Sequence, residues 1–201
     1  MTQAARFLSA AAAVCLFALS CSEGPGAIPQ GGAQFTTASS ASAPDGTKCP
    51  TPGYTVSIGD PAPDMFSDDP GATLPDGVDG TEVSCRVKGR DTITFSGVLR
   101  GKNTTDGRSA EVRFHNGTLD ANGEGTVSVS LSTPISSSAL GTVQLASQAP
   151  CTITGVEARG EKQYGDGLMW ARFTCSGMVT SGQPSNYCRT EGVVVLENCD
   201  R

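Results

Sequence analysis

The stretch Ser109-Ala-Glu-Val-Arg-Phe-His115 alternates polar and apolar side chains, and so does Gly125-Thr-Val-Ser-Val-Ser-Leu-Ser132. A period of two residues is typical of a β-strand with one buried and one solvated face. Between the two runs, Asn116-Gly117 is a favourable two-residue turn, because both residues tolerate a positive φ. This part of the chain therefore predicts two antiparallel strands joined near residue 116.

Similar short runs lie on both sides of this stretch. None shows the sustained 3.6-residue period of a helix, and Gly, Pro, Asn and Ser residues separate them. The run at 168–175 is apolar on both faces, which predicts a central strand. We expect an all-β fold, either a disulfide-stabilised antiparallel β-sandwich or a partly closed barrel. Its further strands are expected at residues 54–58, 82–88, 92–100, 142–146, 151–156 and 191–197.

The first 20 residues have the layout of a secretory signal. Arg6 precedes an apolar run over residues 7–19, and the small Ser20 follows. The run is shorter than the roughly 20 apolar residues that a membrane-spanning helix needs. We therefore predict a signal peptide at residues 1–20 and export of the rest of the chain.

The residues Ala18-Leu19-Ser20-Cys21 resemble the lipobox of bacterial lipoproteins. The resemblance implies cleavage before Cys21 and lipid attachment to that cysteine, which makes the membrane a partner through a lipid anchor. Ser22 stands where an Asp would imply retention in the inner membrane, so the resemblance favours the outer membrane of the cell envelope. The alternative is an ordinary signal peptide and a freely secreted protein.

The composition changes after the lipobox. Twenty of the 26 residues from Ser22 to Thr47 are Gly, Ala, Ser, Thr or Pro, and they have almost no apolar periodicity. Such a segment buries too little surface to offset its loss of conformational entropy. We therefore expect a flexible tether at residues 21–47 and a single folded domain at residues 48–201.

The cysteine count agrees with export. An even number of cysteines in an exported domain predicts disulfides, and the close C-x2-C pairs of zinc sites are absent from the sequence. Beyond Cys15 and Cys21, the chain has six, which are Cys49, Cys85, Cys151, Cys175, Cys188 and Cys199.

Six cysteines allow 15 pairings. Chain order suggests Cys49–Cys85, Cys175–Cys188 and Cys151–Cys199. The strands that hold Cys151 and Cys175 are expected to be neighbours, because they flank a polar turn at residues 160–167.

The charge excludes one class of partner. Without the signal peptide the chain has 13 Lys and Arg against 20 Asp and Glu, a net charge of −7. Nucleic-acid phosphates need a basic face, so no nucleic acid is expected as a partner. Electrostatic docking on anionic lipid is disfavoured for the same reason.

Residues with catalytic chemistry are few. His115 is the single histidine, lies on the polar side of its run, and is expected to be solvent-exposed. The chain has no G-x-S-x-G nucleophile motif. Six aspartates lie within residues 59–80, and Asp76, Asp79 and Glu82 are a weak candidate site for structural calcium. The other interpretation of this segment is a solvated loop with no cofactor.

These observations predict a non-catalytic cell-envelope lipoprotein whose β-sandwich presents a binding or structural surface. An unidentified envelope protein is a candidate partner. One alternative is a carrier that encloses a small apolar ligand within the β structure. The other is a hydrolase that depends on paired carboxylates.

Overall fold

The computed structural model describes residues 27–61, 73–134, 141–158, 161–180 and 182–201. In this part of the chain, strands are joined by turns and one short 3-10 helix, Val78–Gly80. The prediction of an all-β fold is confirmed. The strands are β1 Gln30–Ser39, β2 Tyr54–Ile58, β3 Leu74–Pro75, β4 Glu82–Lys88, β5 Ile93–Lys102, β6 Ser109–Leu119, β7 Glu124–Pro134, β8 Thr142–Ser147, β9 Cys151–Gly155, β10 Glu157–Ala158, β11 Glu161–Lys162, β12 Tyr164–Gly165, β13 Leu168–Thr180 and β14 Gln183–Glu197.

In the described part of the chain, twelve strands form one antiparallel sheet, and nine of them follow the order β2-β1-β14-β13-β8-β7-β6-β5-β4. Strand β9 follows β8 in the chain and also lies between β7 and β13. Strand β3 pairs with β1, and β12 pairs with β13. The short strands β10 and β11 form a separate pair. The large sheet curls over on itself, so its two halves face each other in a sandwich-like, partly closed arrangement.

Alternation along the strands fills the space between the two halves. In β4 the side chains of Val83, Cys85 and Val87 are buried and the intervening ones are exposed. The Phe114 ring meets the Phe173 ring edge-on, with centroids 5.4 Å apart. These contacts place aromatic side chains of β6 and β13 against each other in the main core.

Strand β13 is central, as predicted, and its residues 169–171 are buried on both faces. Met169 and Phe173 point into the main core. Trp170 points the other way, into a second small cluster with Val193 and Val195 of β14. A strand that is covered on both sides loses the alternation of an exposed strand, which explains the apolar run in its sequence.

The expectation of a flexible tether over residues 21–47 is wrong for β1. This strand pairs with β14 on one side and β2 on the other, and Phe35 is fully buried. The small residues of β1 fit because the strand is closely packed. A Cβ added to Gly31 would lie 3.1 Å from Leu99 Cδ1. The folded domain therefore includes β1 and does not begin at residue 48.

Three disulfides are present among the described residues, but all three predicted pairings are wrong. The bonds are Cys49–Cys188, Cys85–Cys199 and Cys151–Cys175. The neighbouring positions of the Cys151 and Cys175 strands are confirmed, since β9 pairs with β13. Two of the bonds join residues 139 and 114 positions apart, because the curled sheet brings the end of the chain back to its beginning.

Candidate functional site

The outward-facing side chains of β4 to β8 form a broad polar surface, called here the outer face. One row across it runs from Glu82 through Arg100, Glu111 and Ser132 to Gln144, each residue opposite the next on the adjacent strand. The inward neighbours of these residues belong to the core. Strand alternation therefore produces the outer face directly from the sequence pattern.

The regular pairing of β5 and β6 is interrupted by a β-bulge. Phe95 pairs with Gly117 and Gly97 pairs with Phe114, so Ser96 stands opposite both His115 and Asn116. Asn116 has a φ of 51°. The expected turn at Asn116-Gly117 is thus wrong, because β6 continues through these residues to Leu119. The positive φ that favours a turn here serves a bulge instead.

Gly117 is required by the packing at this bulge. A Cβ added to it would lie 2.2 Å from the Phe95 ring. The chain itself turns later, where Asp120 Oδ1 accepts hydrogen bonds from the backbone amides of Asn122 at 2.8 Å and Glu124 at 3.0 Å. The change of direction thus lies about four residues later than predicted.

Two depressions lie on the outer face beside the bulge, and Arg86 and Ser96 line both. The first has a volume of about 360 Å³ and is lined by Arg86, Thr94, Phe95, Ser96, Asn116, Gly117 and Thr118. The second, of about 300 Å³, also involves His115 and Asp200. Both depressions are thus lined by residues of the bulge in β5 and β6.

The arginines of the outer face differ in their partners. Arg100 Nη2 lies 2.6 Å from Glu111 Oε2 and Arg100 Nη1 lies 3.0 Å from Glu82 Oε2. Arg113 also binds Glu111. Hydrogen bonding from Arg113, aided by Arg100, lowers the pKa of Glu111 despite its partial burial. Arg86 has no ion pair or side-chain hydrogen bond within the described residues, although Asp200 is its partner in a backbone β-bridge and lines the second depression with it.

His115 is exposed, as predicted, and lines the second depression. In the described part of the chain its ring has no side-chain hydrogen bond to a serine or a carboxylate. A serine nucleophile paired with a histidine base is therefore not assembled there.

The structure does not bring the predicted calcium ligands together. Asp76 Oδ1 accepts a hydrogen bond from the Val83 amide at 2.7 Å, and Glu82 binds Arg100. Asp79 belongs to the 3-10 turn with a φ of 52°. No group of three acidic, His or Cys side chains suited to a metal occurs among the described residues. Asp64, Asp68 and Asp69 of the same acidic segment lie outside them.

A polar cluster at the opposite sheet edge was not predicted from the sequence. The Tyr54 hydroxyl donates to Asp106, Asn103 Nδ2 donates to the Tyr54 hydroxyl at 3.1 Å, and Arg108 Nε lies 2.9 Å from Asp106 Oδ2. Burial opposes ionisation of Asp106, but hydrogen bonds from Tyr54 and Arg108 outweigh it and lower its pKa to about 2. These contacts fasten the β5–β6 loop to β2. Asn103, Asp106 and Arg108 lie within six positions and were a visible signal of a polar cluster. Their contact with Tyr54 could not be predicted, because Tyr54 is distant in sequence.

Comparisons with known proteins give no further guidance. No protein-family model matches the chain, and no curated protein or solved structure matches it either. The described residues contain no helix that is long and apolar enough to cross a membrane. Cys21 and the rest of the lipobox lie outside the described residues.

Proposed function

We propose that this protein is a non-catalytic domain of the cell envelope, anchored by lipid at Cys21, that binds its partner through the outer face of β4 to β8. The observation that carries the proposal is the pair of depressions around Arg86, on a face that holds two more depressions over β5 to β8. A bulge that is held by Phe95 and Gly117 makes this concavity a fixed part of the fold.

Both edges of the sheet are covered, which supports binding through the outer face of the sheet and not through an edge strand. On the β4 edge, the Val83 amide donates to Asp76 and the Val87 amide to the Asp200 carbonyl. On the β2 edge, the Ser57 amide donates to Asn103 Oδ1 and the Ser57 carbonyl accepts from the Thr104 amide. Both edges are thus occupied by the chain's own groups, which disfavours recognition by strand addition.

The disulfides and the first 21 residues support the compartment. The described residues contain three disulfides, and disulfides form stably in an oxidising environment. If Cys21 holds the lipid, the nine residue steps to Gln30 span at most about 30 Å of extended chain. The domain would then lie close to the membrane surface, because this linker is shorter than the tether of residues 21–47 that the composition predicts.

The interior of the sheet argues against an enclosed apolar ligand. A Cβ added to Gly101 would lie 2.5 Å from Ile58 Cγ2, and one added to Gly97 would lie 3.0 Å from Leu196 Cδ1. Positions that cannot accept one extra methyl group leave little room for a ligand between the two halves of the sheet. The core is filled by its own side chains, which favours recognition on the outside.

The carboxylates argue against a hydrolase of the paired-carboxylate type. Such an enzyme needs one carboxylic acid with a raised pKa as its proton donor. Arginine partners lower the pKa of Glu111 and Asp166, and backbone amides lower that of Asp120. The pKa of Asp106 is lowered as well. Groups held ionised in this way are poor general acids.

Mass spectrometry and cell fractionation test the anchor. The mature protein should begin at Cys21, have the added mass of a diacylglycerol and an acyl chain, and sediment with outer membranes. Cys21→Ser should release the protein without lipid, whereas Cys15→Ser should leave lipidation unchanged. A wild-type protein without lipid would contradict the anchored role.

A further inference from the structure

The first depression, between β4, β5 and the bulge of β6, combines an unpaired cation with neutral polar groups. We propose that it binds a small ligand through a carboxylate or phosphate group, with Arg86 as the anchoring side chain. This inference rests on the proposed role of the outer face as a binding surface, and it names the ligand chemistry of that surface.

The shape of the depression suits a small molecule. Its volume of about 360 Å³ falls at the lower end of the roughly 300–1,000 Å³ of ligand sites. Phe95 and Gly117 are buried and form its floor, while Thr94, Asn116 and Thr118 are exposed and form its rim. An apolar floor with a few polar groups around it is the usual composition of such sites.

The charge distribution favours an anion at Arg86. Its planar guanidinium can donate two parallel hydrogen bonds to one carboxylate or phosphate. The side chain has no partner among the described residues, and Ser96 lies directly opposite it on β5. Asp200 is opposite Arg86 in a backbone β-bridge, but the two side chains form no ion pair within the described residues.

Neighbouring groups separate this depression from the rest of the outer face. Asp200 lines the second depression but not the first, so the second is the poorer site for an anion. Arg100 and Arg113 are neutralised by Glu82 and Glu111. The first depression is lined by an arginine and hydroxyl groups without a carboxylate, whereas the other depressions of this face include Asp200 or Glu111.

Calorimetric titration of the mature protein tests the inference with three probes: D-glucuronate, inorganic phosphate and D-glucose. We expect glucuronate, phosphate or both to bind and the uncharged glucose not to bind at the same concentrations. Glucuronate alone would assign a carboxylate ligand, and phosphate alone a phosphorylated one. Binding should weaken as salt is raised, because the anchoring charge is exposed.

Arg86→Gln should weaken the binding of the anion at least tenfold. Lys102→Gln is the matched control, since it removes the same charge from an exposed position at the far end of β5, and it should change the affinity less than twofold. An unchanged melting temperature of Arg86→Gln shows that the variant is folded. Equal effects of the two substitutions would overturn the inference. Absence of binding by both anions at 20 mM would overturn it as well, because about 20 mM is the weakest affinity of interest for a site of this size.

This result is separable from the test of the proposed function. A lipidated protein that binds neither anion would keep the anchored role and lose the ligand class. An unlipidated protein that binds an anion through Arg86 would keep the ligand class and lose the anchor.

Discussion

The backbone amide of Val87 donates a hydrogen bond to the carbonyl oxygen of Asp200 at 2.9 Å. The Asp200 amide in turn donates to the Cys85 carbonyl at 3.0 Å, and the Gly167 amide donates to the Val87 carbonyl at 3.1 Å. The last residues of the chain thus cover the free edge of β4, and the Cys85–Cys199 disulfide fixes them there. This arrangement protects the strand that contributes Arg86 to the outer face.

Replacing both Cys85 and Cys199 by Ala should lower the free energy of unfolding by about 2–5 kcal/mol, the usual effect of removing a native disulfide from a small exported domain. Urea unfolding followed by the fluorescence of the single Trp170 measures it. Hydrogen exchange at the Val87 amide should also become faster. Asp200→Ala is the control, because only its backbone pairs with β4, and its effect should stay within about 0.5 kcal/mol.

Phe35→Ala should lower the free energy of unfolding by about 3–5 kcal/mol, because it leaves a cavity at a fully buried position of β1. Ile28→Ala, two residues before β1, removes a side chain that is 60% exposed and should change stability by less than about 0.5 kcal/mol. The same urea titration compares the two variants. Similar small effects from both would mean that residues 30–39 are a tether after all.

Gly117→Ala should destabilise the protein by about 1–3 kcal/mol, because the added methyl group overlaps the Phe95 ring. The cost should fall in a Phe95→Leu background, where the ring is absent. A double-mutant cycle on thermal unfolding measures this coupling. Additive effects of the two substitutions would show that the ring does not determine the need for glycine at the bulge.

The Asp106 cluster predicts a specific pH dependence. The pKa of this carboxyl is lowered from 3.8 to about 2 in the folded protein. A depressed folded-state pKa contributes stability above the unfolded value, and that stability is lost as the pH falls from about 4 to about 2. The stability difference between wild type and Asp106→Asn should therefore shrink over this range.

Urea unfolding at several pH values measures the difference, with Asp45→Asn as the control. Asp45 lies in the exposed loop before β2 and has no ion pair within the described residues. A wild-type-minus-Asp106→Asn difference that stays constant from pH 5 to pH 2 would contradict the role of the ionised Asp106 in fastening the loop.

Local sequence was sufficient for the strands but not for their partners. The alternation in β4, β6 and β7 predicts each strand and its buried face, because burial on one side of a sheet requires a period of two. The pairing of β1 with β14 joins the two ends of the fold, and no local pattern specifies it. The disulfide prediction failed for Cys49–Cys188 and Cys85–Cys199 for that reason, because these bonds join residues 139 and 114 positions apart. Cys151–Cys175 was missed although its strands were predicted to be neighbours.

Two local signals were ambiguous in themselves. The Gly, Ala and Thr residues of β1 have the composition of a linker, yet the crowding of Gly31 against Leu99 requires small side chains there. Asn116-Gly117 tolerates a positive φ, which serves a turn and a bulge equally well. The candidate site depends on that bulge, so its concave shape could not be predicted from the alternation of β5 and β6.

Photo-crosslinking in intact cells tests most directly whether the outer face of β4 to β8 is the binding surface. A photoreactive residue is placed at Ser96, between the two depressions, or at Thr55, an outward position on β2. We predict an adduct of one defined mass from Ser96 that diminishes with Arg86→Gln, and no such adduct from Thr55. Equal adducts from both positions, or adducts from Thr55 alone, would contradict the account.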